Sequence, residues 1–589
     1  IEWLQLEVHL SGPSMKSYEA VFSKKSLWRI LAISTLISVS VLLFFGREIY
    51  QQAPPLPTQV LSTNGSSIFT LANIQRGQNV WQSLGGMQKG SIWGHGSYLA
   101  PDWSADWLHR EAVEILQLSS LERYGVAFDS LDRPEQEAQK ARMQVAIREN
   151  TWDSATGIIT ISETRAQAIE RVARHYANIF QAIDSDVSRE LREQYAFSTV
   201  VTLSDEDMHA LSSFVFWTSW SAVTNRPDDN ISYTSNWPYD PLVDNTPPPS
   251  LLIWTLLSIV LLIGAIAALV WFYAQQYDIW RQNLTPEGGV ASENLLGNAA
   301  QTPSMRATAK YFWTVVALFG LQIILGTITA HYAVEGQDFY GFPLSEYLPY
   351  SVTRTWHTQL AVFWIATAWL ATGLYVAPLI SGHEPKYQRL GVNFLYVCLL
   401  IIVVGSFAGE WLGINQFFSN LTMNFWFGHQ GYEYVDLGRF WQIFLFVGLL
   451  VWLLLMFRAL WPVISNRDNN RSLIFLLALS STAIGLLYGA GLSWGEHTHI
   501  SIMEYWRWWV VHLWVEGVFE VFATTIIALL FVKMGLLRSS TATISVLFAT
   551  IVFLTGGVLG TFHHLYWSGT PISVIALGGV MSALEVVPL

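Results

Sequence analysis

A single cysteine in 589 residues, Cys398, rules out an intrachain disulfide and a thiolate cluster, and no Cys-x-x-Cys-His is present to attach a haem covalently. Charge is scarce as well: Asp, Glu, Lys and Arg make up 13% of the chain against 52% hydrophobic residues. With a mean hydropathy of +0.33, the chain is too apolar for a soluble protein of this length and reads as an integral membrane protein surrounded by lipid. No basic patch points to nucleic acid, and the formal charge of -12 collects mainly in residues 48–250. Any metal must therefore be held by nitrogen and oxygen ligands, or arrive inside a cofactor.

Residues 1–14 read as a non-native leader ahead of Met15. Lys16, Lys24, Lys25 and Arg29 then precede an apolar run from Leu31 to Phe45. A cleaved signal peptide is the alternative, but Phe45-Gly46-Arg47 is a poor cleavage site, so residues 15–47 are expected to be a retained membrane anchor. Residues 48–250 turn polar, with helical patterns near 103–117, 133–150, 161–183 and 204–224, and Pro247-Pro248-Pro249 ends them. The remainder, 251–589, is expected to be a polytopic and incomplete membrane domain.

A spanning helix needs about 20 mostly apolar residues. Segments near 28–46, 251–273, 311–332, 356–381, 393–412, 440–461, 471–490, 507–533 and 543–565 qualify or come close, and a tenth opens at about 572. Basic residues mark every second connection, among them Arg306 and Lys310, Lys386 and Arg389, and Lys533 and Arg538, which turns those connections to the cytoplasm. Residues 48–250 are then extracytoplasmic.

That topology puts His331, His357, His512, His563 and His564 near the outer leaflet, and ionisable residues inside a membrane are functional candidates. His331 and His357 are also compatible with interfacial helix ends. His512 and Glu516 are four apart, on one helical face, and Glu520 continues that face one turn deeper. Three imidazoles and a carboxylate suit Fe, Zn or Mn. Glu520 reads as a proton relay or as a packing hydrogen bond.

His512-x-x-x-Glu516, followed one helix later by His563-His564, resembles the haem–copper oxidase superfamily. His512-Leu513-Trp514-Val515-Glu516-Gly517, with Glu520 four further on, resembles its nitric oxide reductases. Gly94-His95-Gly96-Ser97-Tyr98-Leu99-Ala100-Pro101-Asp102-Trp103 and Ala105-Asp106-Trp107-Leu108-His109-Arg110-Glu111 resemble the quinol-dependent branch, from about Met15 to the end of the chain. The resemblance implies an all-α polytopic membrane bundle with an extracytoplasmic cytochrome c-like domain that lacks haem c, in a bacterial cytoplasmic (inner) membrane, and admits a homodimer.

Carried over to this chain, the resemblance implies a non-haem iron on His512, Glu516, His563 and His564, and His357 of Arg354-Thr355-Trp356-His357 as an axial ligand of haem b. His331, Glu335 and Phe339 resemble the group that binds quinol, either ubiquinol or menaquinol. Glu433, within His429–Arg439, resembles a glutamate that binds calcium, or substitutes for it, between haem propionates, with Asp436 as a further oxygen donor; an ion pair with Arg439 is the plainer alternative. Glu585 matches another family glutamate near the metals, and Glu516 and Glu520 would help to deliver protons. His95 and His109 read as ordinary structural histidines. The activity implied is reduction of two NO to N2O and water at a haem b3/non-haem iron centre, with quinol as electron donor.

One departure stands out: the family's later His-x-His pair, which ligates both haems, is absent. The chain is therefore expected to be a truncated member whose own activity is doubtful. Two alternatives are an oxygen-reducing quinol oxidase of the same superfamily, disfavoured by Glu516 and the N-terminal region, and a non-haem transporter, which a b-type haem spectrum would tell apart from the reductase.

Overall fold

The computed structural model describes residues 23–181, 186–197, 202–283, 300–465 and 471–585, with 276–283, Glu516 and Glu585 described for their backbone alone. The expected leader and Met15 lie outside the described residues.

Backbone amides and carbonyls in hydrocarbon have no water to pair with, so long apolar runs must satisfy them internally as helices. Among the described residues nine helices are long and apolar enough to cross a membrane: Lys24–Gln52, Pro249–Gln275, Pro303–Val334, Tyr350–Ser381, Gln388–Ile414, Arg439–Ser465, Arg471–Ala490, Ile500–Lys533 and Ser539–Leu565. Each coincides with a segment expected from hydropathy, and a shorter apolar helix, Ile572–Leu584, stands where the tenth was expected to open. The eighth begins at Ile500 rather than at 507, which sets His512 further from its start than the sequence implied.

The polar region forms a small mixed α/β unit. Helices Trp103–Tyr124, Arg133–Arg148, Glu163–Phe180 and Asp205–Val223 fall where the sequence predicts them. A further helix, Leu71–Ser83, starts from a capping box in which Thr70 and Asn73 satisfy each other's backbone N–H. Gly77 lets this helix meet Asp205–Val223, because a Cβ there would lie 2.0 Å from the Ala210 carbonyl oxygen. A four-stranded sheet was not anticipated. Strands β1 (Gln59–Ser62), β2 (Ser67–Thr70), β3 (Trp152–Asp153) and β4 (Ile158–Ile161) run in the order β2-β1-β4-β3. Strand β1 pairs antiparallel with β2 and parallel with β4. Aromatic rings fill the unit's interior, with Trp103 packed on Tyr176 and Phe180 at centroid distances of 5.8 and 5.5 Å.

This unit sits on the end of the bundle that carries the histidines. Gln78 donates to the Thr498 carbonyl at 2.8 Å and to the Tyr432 hydroxyl at 3.0 Å. Gln88 donates to Asp436 at 2.9 Å, and the Ser97 and Tyr350 hydroxyls meet at 2.9 Å. Loop residues of the N-terminal unit are thereby fixed against the mouths of the spanning helices.

Candidate metal centre

Two local irregularities bring three imidazoles together. Trp509–Val518, at the centre of the eighth span, is a π-helix whose i→i+5 bonds widen the turn, a feature frequent at functional sites. The ninth helix gives way after Gly560 to a 3-10 turn, Thr561–Leu565, that carries His563 and His564. Gly578 permits the following helix to press on this turn, since a Cβ there would lie 2.3 Å from the His563 amide nitrogen.

Potential ligand nitrogens of His512, His563 and His564 all lie within 4.8 Å of one another, and among the described residues this is the group of three or more His, Cys, Asp or Glu that could hold a metal ion. His512 is buried and its Nε2 faces the Gly557 carbonyl at 3.0 Å. A carbonyl only accepts, so Nε2 carries the hydrogen and Nδ1, 3.2 Å from His564 Nε2, keeps its lone pair. Such an outward-held imidazole is the arrangement that fixes a metal ligand's tautomer. The donor set therefore fits a divalent metal. Trp508 lies flat on the other face of His564, with centroids 3.7 Å apart and planes 6° from parallel. Beside this stack is a cavity of about 290 Å³ whose walls include Ala361, Val362, Trp508, Val511, Trp514 and His564.

The carboxylates expected here fare differently. The side chains of Glu516 and Glu585 lie outside the described residues. Glu520 is exposed in the first turn of Phe519–Lys533, whereas His512 is buried.

The other expected sites are also placed. His357 Nδ1 meets the Gln322 carbonyl at 2.9 Å, which leaves Nε2 with its lone pair, and its ring lies so close to Gly326 that a Cβ there would come within 2.6 Å. His331, Glu335 and Phe339 are brought together: the histidine Nδ1 is 3.2 Å from the Glu335 carboxylate, and its ring stacks on Phe339 with centroids 4.1 Å apart and a 6° tilt. Glu433 pairs with Arg354 at 2.6 Å and not with Arg439. The Arg439 guanidinium instead donates to the carbonyls of Gly491 and Trp494.

Several residues went unremarked in the sequence. Glu504 and Arg507 form a buried ion pair at 2.6 Å, each side chain at most 2% exposed, and His95 reaches Glu504 at 3.3 Å. Opposite charges three apart inside an apolar run were the available signal. Glu410 is buried near the end of its span, and neither carboxylate oxygen has a partner among the described residues. Outside the spans, burial holds His429 neutral down to about 3 and pushes the Asp436 carboxyl up to about 7.

The bundle of spanning helices thus carries its imidazole cluster at the end that bears the N-terminal domain. Residues 306–589 match the family described as cytochrome c and quinol oxidase polypeptide I. Residues 57–239 match the cytochrome c-like domain of NorB, a nitric oxide reductase polypeptide, and this chain's version has no haem c attachment motif. The NorB polypeptide of Stutzerimonas stutzeri nitric oxide reductase is 26% identical over 288 residues, which is 48% of this chain and 57% of the relative. The chain thus spans little more than half the length of that relative. Together these matches make the chain similar, over parts of its length, to the NorB polypeptide of nitric oxide reductase.

Proposed function

We propose that the chain is the catalytic polypeptide of a quinol-oxidising nitric oxide reductase in a bacterial inner membrane, with the N-terminal domain outside the cytoplasm. The observation that carries the reading is the convergence of His512, His563 and His564 within 4.8 Å, in a chain similar to the NorB polypeptide of nitric oxide reductase. The charge pattern of the connections supports the orientation.

In this reading His512, His563 and His564 would hold a non-haem iron, with Glu516 as the hard oxygen ligand that iron favours over copper. His357 would be the residue that holds haem b; its Nδ1–H is held by the Gln322 carbonyl, which leaves Nε2 with its lone pair. The apolar cavity beside His564 would border haem b3. When bound, these groups would relay the quinol's two electrons and supply the paired metal sites for the conversion of two NO, two electrons and two protons to N2O and water.

The chain's own residues do the rest. His331 and Glu335 accept the two hydroxyl protons of the quinol, and the Phe339 ring, already stacked on the imidazole, lies over the headgroup. Both side chains are more than a third exposed, open to a lipid-borne donor. Trp508 and the apolar cavity walls keep bulk water from the centre. Glu520 and Glu585 are assigned the passage of protons toward it.

Turnover in detergent with NO and a reduced quinone tests the reading. One N2O is expected for each quinol oxidised. Oxygen consumption without N2O, or N2O formed with reduced cytochrome c but not with quinol, would contradict it.

A further inference from the structure

His95 belongs to the N-terminal domain, yet both of its ring nitrogens reach into the membrane bundle. Its Nδ1 is 3.3 Å from Glu504 Oε2, and its Nε2 is 2.6 Å from the carbonyl of Tyr566, two residues past His564. Glu504 Oε2 also accepts from Arg507 at 2.6 Å and from the indole N–H of Trp508 at 3.3 Å. Trp508 is the residue that lies flat on His564. Two hydrogen-bond donors and the His95 imidazole thus meet at one buried oxygen, so that removing one alters the seating of the other two.

The backbone fixes His95 in advance. Ile92 and His95 exchange N–H to carbonyl bonds at 3.1 and 3.0 Å around Trp93 and Gly94. Both central residues have positive φ, 51° and 79°, as a two-residue I′ turn requires. Asp102 accepts the Gly94 N–H at 2.8 Å and locks the turn to the next helix. A surface histidine needs no such mounting.

We infer that His95 is a positioning residue for the histidine metal centre, acting on His564 through Glu504 and Trp508, and on the turn carrying His563 and His564 through the Tyr566 carbonyl. Glu504 and the tryptophan hold the ligand ring from one side, and the Tyr566 carbonyl tethers the turn from the other. The inference rests on the reading of His512, His563 and His564 as metal ligands. Partners one shell removed from a metal typically alter its affinity by about 10–100-fold when lost.

The test is titration of the full chain, cleared of metal by chelation, with cobalt(II), followed by its ligand-field absorption. His95→Ala is expected to weaken cobalt binding about 10–100-fold and to change the ligand-field spectrum. His95→Gln, whose amide N–H can still reach one of the two oxygens, recovers part of the affinity. His109→Ala removes a histidine of the same domain that is 58% exposed and paired with Asp240, and leaves binding unchanged. Trp508→Phe keeps a ring on His564 but loses the N–H held by Glu504; it shifts the spectrum in the same direction and decides the matter if His95→Ala does not fold. Unchanged affinity and spectrum in the folded variants would overturn the inference and leave the metal site standing. No cobalt binding by the wild type, or equal binding by His563→Ala, would overturn the metal reading and this inference with it.

Discussion

The Arg354 guanidinium lies 2.6 Å from the Glu433 carboxylate and also donates to Gln88 of the N-terminal domain, so one side chain ties the start of a spanning helix both to an interhelical loop and to the domain above it. Both partners of the ion pair are largely buried, at 19% and 17% exposed. Arg354→Ala leaves a carboxylate and an amide without their donor. A loss of about 1–3 kcal/mol is expected, read as a lower melting temperature and faster proteolysis of the N-terminal domain. Unchanged melting would show that the pair does not fasten the domain.

Asp436, which receives Gln88 and Gln359 at 2.9 Å each, makes the same junction sensitive to pH. Burial raises its carboxyl from 3.8 to about 7, so between those values the folded protein holds a proton that the unfolded chain has released. The stability tied to that proton is complete below about pH 4 and is lost as pH rises toward 7. His429, 3.5 Å away, stays neutral in the fold through this window. Asp436→Asn retains an acceptor for both glutamines and cannot ionise. Its melting temperature relative to wild type is expected to climb from pH 4 to pH 7, whereas a constant difference would refute the assignment.

The stack of Phe339 on His331 gives the quinol reading a kinetic signature. Aromatic contacts of this kind contribute about 0.5–1.5 kcal/mol beyond area burial. Phe339→Ala is therefore expected to raise KM for quinol by up to about tenfold, with little change in NO reduction driven by an artificial donor that bypasses the quinol. Equal losses with both donors would place Phe339 elsewhere in the mechanism.

Gly578 is where the last described helix bears on the ligand turn. A methyl at this position meets the His563 amide nitrogen at 2.3 Å and the Phe562 carbonyl carbon at 2.4 Å, both backbone atoms that cannot rotate away. Gly578→Ala should cost about 1–3 kcal/mol through overpacking and displace His563, so thermal stability and metal content fall together. A stable variant that lost no metal would show that the turn can yield.

The spanning helices were legible because hydrocarbon leaves a long apolar run with one backbone solution. The adjacent histidines were legible because imidazoles are costly in that setting unless used. Strands of two to four residues carry too little alternation to be read, which hid the sheet of the N-terminal domain. A π-helix leaves no mark on composition, so the widened turn that carries His512 was not legible in the sequence. His95 and Glu504, more than four hundred positions apart, meet only through tertiary structure, and neither signals the other in the chain.

Non-haem iron in the purified protein, taken as total iron less haem iron, tests the central claim most directly. One non-haem iron per chain is expected in the wild type, with loss of that iron in His512→Ala and in His563→Ala while the haem content is retained. Full non-haem iron in both variants, or its absence from the wild type, would contradict the assignment of His512, His563 and His564 as its ligands.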